Sequence, residues 1–111
     1  MACDVRRGRW STAPGPRPRA YLGVSAVQGR IVAAGGRTGG LGTQTSHAEI
    51  YASGVRRWRA LPPVPKAMSE AAAAAVGDLF VTVGGLADET YWSEASVFAL
   101  NVSTRKVDSA T

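Results

Sequence analysis

The chain has 111 residues, with 13 Lys plus Arg against 8 Asp plus Glu and a net charge of +5. That length suits one small domain at most, and 13 glycines with 6 prolines favour a turn-rich β-structure. A lone Cys3 excludes an internal disulfide, no segment has the apolar length of a membrane span, and "MACDVRRGRW" lacks a signal-peptide core, so a soluble, cytoplasmic protein without a membrane partner is expected.

Residues 1–17 carry "CDVRRGRW" (3–10), which parallels "YASGVRRW" (51–58) and reads as the tail of a preceding unit followed by a linker. A first strand is then predicted over Tyr21–Val27, with a tight turn at Gln28-Gly29 and a second strand over Arg30–Ala34. Glycine suits such two-residue turns because it tolerates positive φ. The second strand is continuously apolar, the pattern of a strand buried on both sides. Gly35-Gly36 end it, where a side chain is not tolerated or φ must be positive. After the polar loop "RTGGLGTQTSH", a third strand is predicted over Ala48–Ala52 and a fourth over Arg57–Leu61, closed by "PPVP".

The remaining chain repeats this order. "VQGRIVAAGG" (27–36) falls on "VGDLFVTVGG" (76–85) without a gap, at an offset of 49 residues. The same offset aligns "LGVSAV" (22–27) with "AAAAAV" (71–76) and "AEIYASGVRRW" (48–58) with "VFALNVSTRKV" (97–107). One constant offset over three segments, loop included, identifies an internal repeat. Strands are therefore predicted over Glu70–Val76, Leu79–Val83, Ser96–Leu100 and from Arg105 to Asp108, with a turn at Gly77-Asp78. Ala71 to Ala75 are strong helix formers. Their counterpart "LGVSA" is not, so a strand is expected there.

No catalytic constellation stands out in the sequence. "GGRTGGLG" (35–42) lacks the Lys-Ser/Thr and the following helix of a phosphate loop. His47 is the only histidine, and no ligand spacing suggests a metal. The acids are dispersed and nothing selects a pair, and no serine lies in a nucleophile motif or beside a histidine that could be its base. No catalytic residue, metal or cofactor is expected. The arginine clusters "VRRGRW" (5–10) and "VRRWR" (55–59) have no nucleic-acid motif beside them and read as solvated turns, so nucleic acid is not an expected partner.

A strand ending in Gly35-Gly36, a variable loop, then Tyr51 and Trp58 with six residues between them resembles the kelch repeat. Arg19 and "LPPVP" (61–65) resemble kelch linkers. The second copy keeps Gly84-Gly85, but Leu100 stands for the tyrosine and Val107 for the tryptophan. The resemblance implies an all-β fold of four-stranded antiparallel blades, about two blades of an incomplete β-propeller. It divides the chain into a tail and linker (1–17), kelch repeat 1 (18–65) and a degenerate, truncated repeat 2 (66–111). Gly35, Gly36, Tyr51, Trp58, Gly84 and Gly85 take structural roles. Two blades leave apolar faces uncovered, so a larger propeller or self-assembly is expected.

In such propellers the loop after the glycine pair shares one face with the approach to the first strand, and that face is a usual partner surface. Carried over by position, it comprises Arg19, Tyr21, Arg37 and Thr38 in one blade. In the next it comprises Glu70, Asp88, Tyr91 and Trp92. Trp92 either anchors a partner or folds back onto its own blade. The resemblance implies a non-enzymatic protein-interaction module with an unidentified protein partner. It also admits the substrate-recognition part of a ubiquitin-ligase adaptor. The alternatives are a fragment of a kelch-type copper oxidase, whose ligands would lie elsewhere, or a truncated product without its own function.

Overall fold

The computed structural model describes residues 2–4, 9–11, 13–40, 42–52, 54–86 and 97–110. Among these residues ten strands follow in chain order: β1 (Ala2–Asp4), β2 (Arg9–Ser11), β3 (Gly23–Val27), β4 (Arg30–Ala34), β5 (Ala48–Ala52), β6 (Arg57–Leu61), β7 (Ala72–Val76), β8 (Leu79–Val83), β9 (Val97–Asn101) and β10 (Val107–Ala110). Every pairing is antiparallel. The sheets run β3-β4-β5-β6 and β7-β8-β9-β10, with β1-β2 as a separate hairpin. These two four-stranded sheets are the two blades, and no helix occurs among the described residues.

The 49-residue period extends to backbone conformation. Gly35 and Gly36 have φ of 71° and 98°, and Gly84 and Gly85 have 70° and 106°. Tyr21 and Glu70 share a left-handed φ of 57° and 63°, as do Arg56 and Arg105 at 49° and 60°. The bridges Ala20↔Arg37 and Ser69↔Leu86 are one period apart. Register repeats as well: Cys3 faces Trp10, Tyr51 faces Trp58, and Leu100 faces Val107.

The left-handed residues correct the predicted start of each first strand. Tyr21 and Glu70 turn the chain into the blade, and the ladder begins two residues later at Gly23 and Ala72. The third and fourth strands of blade 2 also lie slightly later than expected, at Val97–Asn101 and Val107–Ala110. The tight turns differ in detail. Gln28 and Gly29 are both left-handed, whereas in the second turn Gly77 is and Asp78 is not. The former fits a type I′ demand, the latter type II′.

The alanine segment is the strand β7, paired along its length with β8. Its neighbours explain only part of its composition. A side chain on Gly23 would come within 3.2 Å of the Ala73 Cβ, and one on Gly85 within 3.1 Å of the Ala71 Cβ. Ala73 sits where β7 passes β3, and Ala71, just before β7, sits against the glycine pair. Ala72, Ala74 and Ala75 are exposed and under no such constraint.

The core lies between the blades. Val27, Val32, Ala34, Ala48, Ile50 and Leu61 from blade 1 pack on Phe80, Leu100 and Val102 from blade 2. Val64 of the proline-rich linker packs against this cluster, and its amide donates to the Ser46 carbonyl at 2.8 Å. β4 is buried on both sides only over Val32, Ala33 and Ala34, whereas Ile31, in the same apolar run, is 40% exposed. β8 instead alternates: Phe80 and Thr82 are buried toward blade 1, while Val83 is 50% exposed on the far face. A strand covered on one side alternates with period two.

Candidate functional site

The glycine pair fixes the end of the blade where the candidate residues gather. A Cβ on Gly35 would lie 2.6 Å from the Met68 carbonyl oxygen, and one on Gly36 would lie 2.8 Å from that of Ala20. The close approach lets the Gly36 amide donate to the Met68 carbonyl at 2.8 Å, joining the blades. The Glu70 amide donates to the Tyr21 carbonyl at 2.8 Å. The left-handed residues of the two blades therefore meet across one seam.

Arg37 is positioned by its bridge to Ala20, with both backbone hydrogen bonds at 2.9 Å. Its guanidinium lies 4.3 Å from the Tyr21 ring centroid, a cation–π arrangement. Its Nη2 is 3.2 Å from Glu70 Oε1. Blade 1 thus supplies the aromatic and the cation, and blade 2 the carboxylate. Tyr21 is 56% exposed, so one face of the cluster is open to solvent. The Arg37 Nε is buried without a hydrogen-bond partner among the described residues. Thr38 stands exposed beside it, its amide directed at the Thr43 carbonyl.

Arg19 departs from the expectation of a partner-facing residue. Its side chain is only 1% exposed. The Nε donates to the Gly35 carbonyl, and Nη1 donates to Glu49 Oε1 at 2.8 Å and to the Arg17 carbonyl at 2.9 Å. Glu49 also accepts from the Arg17 amide at 3.2 Å and has His47 Nε2 at 3.3 Å. Arg19 therefore ties the linker to the inside of blade 1 and is not available to a partner. The sequence signal for this lock was Glu49, an acid in an otherwise apolar strand.

Tyr51 and Trp58 take the structural place expected of them. Their ring centroids are 5.3 Å apart and tilted by 35°, and the Trp58 Nε1 donates to the Pro14 carbonyl at 2.8 Å. Asp88, Tyr91 and Trp92 lie outside the described residues. Among the described residues no group of three or more His, Cys, Asp or Glu could hold a metal ion. Among the described residues no helix is long and apolar enough to cross a membrane.

The kelch motif model matches residues 18–65. The chain carries a kelch repeat. No curated protein matches it. The kelch match covers blade 1 with its linkers, including Arg19, the glycine pair, Tyr51 and Trp58. Kelch repeats typically serve as protein–protein interaction modules.

Proposed function

We propose that this chain is a non-enzymatic recognition module that docks a protein partner on its glycine-pair end, through Tyr21, Arg37, Thr38 and Glu70. The observation that supports this reading is the Tyr21–Arg37–Glu70 cluster. It is built from both blades, and it presents an aromatic face and a guanidinium paired with a single carboxylate. Tyrosine and arginine are the residue types that dominate interface hot spots. By sequence position alone, Asp88, Tyr91 and Trp92 fall in the segment of the second repeat that corresponds to the one following Gly35-Gly36. Nothing in this geometry favours ubiquitin ligation or oxidase chemistry in particular, so the reading stops at protein recognition.

The test is affinity capture with the wild-type chain, with Tyr21→Ala/Arg37→Ala, and with Ser103→Ala as a distant exposed control. A protein retained by wild type and the control but lost from the double variant supports the site. Equal retention by all three, with unchanged circular dichroism, overturns it.

A further inference from the structure

The opposite end of blade 1 carries a feature that protein docking at the glycine pair leaves unexplained. Arg30, Arg57, Arg59 and Arg105 line a cavity of about 150 Å³ whose remaining walls are Ile50, Ala52 and Val55. The topology explains the gathering. Arg57 faces Ala52 across β5–β6, Arg59 faces Ile50, and Arg30 opens β4 one position before the Ile31↔Tyr51 pair. All three therefore project on the face that looks toward blade 2. Arg105 arrives from the β9–β10 turn of blade 2, at its left-handed position, and closes the cavity from the other side.

The cluster is poorly compensated. Arg30, Arg57 and Arg59 make no ion pair or side-chain hydrogen bond with a described residue, and Arg105 makes one long contact, 3.4 Å to the Ala60 carbonyl. Among the described residues no carboxylate lines the cavity. Like charges held together cost free energy that an anion would relieve. Nor does the blade architecture require these arginines. One period later their counterparts are Leu79, Lys106 and Asp108, and that blade forms the same four strands.

We propose that this cavity binds an acidic peptide segment of a protein partner, with an aliphatic side chain on the Ile50–Ala52–Val55 floor and carboxylates on the surrounding guanidiniums. Guanidinium forks match carboxylates in paired geometry. The aliphatic floor offers nothing to a bare phosphate. Among the described residues it also presents no aromatic ring on which a nucleic-acid base could stack. The surface is separate from the glycine-pair end, because β3–β6 run between the two.

Fluorescence anisotropy of a dye-labelled peptide with four Asp or Glu residues around one leucine tests this on the full chain. Wild type should bind it and not its Asn/Gln counterpart, with affinity falling as salt rises. Arg57→Ala/Arg59→Ala should weaken binding about tenfold, whereas Tyr21→Ala/Arg37→Ala should leave it unchanged. Val55→Ser should weaken the leucine peptide more than its glycine analogue. Equal binding of the neutral peptide, or an unaffected arginine variant, overturns the proposal. So does competition by inorganic phosphate or poly-dT at concentrations matching the peptide, which would mark a generic anion or nucleic-acid site.

Discussion

The two blades share a backbone but solve the same position in opposite ways. In blade 1, Arg19 and Glu49 form an ion pair 2.8 Å long with side chains 1% and 9% exposed. One period later the corresponding residues are Met68 and Phe98, both buried. The fold therefore needs this position filled, and charge is one filling among others. The partners decide what each choice costs. The blade 1 pair is supported by the carbonyls of Gly35 and Arg17 and by the Arg17 amide, so most of its polar atoms are used. A second contrast concerns covering. Val27 is 0% exposed because blade 2 lies over it, while its counterpart Val76 is 65% exposed. The same residue at the same place in the repeat is buried where a neighbouring sheet covers it and exposed where none of the described residues does.

The strongest way to break this comparison is to remove half of the ion pair. Glu49→Ala leaves a buried guanidinium without its carboxylate and should destabilise the chain by about 3–5 kcal/mol, read by urea denaturation. Importing the blade 2 solution, Arg19→Met with Glu49→Phe, should recover most of that loss, because well-packed apolar residues can replace a buried pair. No recovery would mean that the two positions are not equivalent.

Glycines give the next contrast. Gly35→Ala meets both a left-handed φ of 71° and the Met68 carbonyl oxygen at 2.6 Å. Gly29→Ala meets a similar φ of 73° with nothing within 4 Å. The latter should cost about 1 kcal/mol and the former about 2–3 kcal/mol, since the seam must also shift. Equal thermal shifts would remove the steric role assigned to the pair.

The smallest expected effect sharpens the covering argument. Val27→Ala should cost about 2 kcal/mol for its lost burial and cavity. Val76→Ala should stay within about 0.5 kcal/mol, as exposed substitutions do. If Val76→Ala is as costly as Val27→Ala, the far face of blade 2 is covered in solution.

Much of this was legible beforehand for a physical reason. Turns and glycine pairs are local: Gly35-Gly36 and Gly84-Gly85 announce positive φ and close approach wherever they occur. A constant offset then carries one blade's strands onto the next, overriding the helix propensity of Ala71–Ala75. The candidate site was legible only by position. Arg37 and Glu70 were expected on one face, but their pairing across the seam depends on the left-handed turns at Tyr21 and Glu70, which non-glycine residues do not advertise. Arg19 was misplaced because a linker arginine looks solvent-facing until its carboxylate partner, 30 residues away in β5, is brought beside it.

The sequence by itself determined the period, the four strands of each unit and the β-state of the alanine run, because these follow from local backbone demands repeated at one spacing. Tertiary structure alone decided which charges are buried and which gather. Arg30, Arg57, Arg59 and Arg105 share one cavity only because antiparallel register and the packing of one blade on the next bring distant residues together.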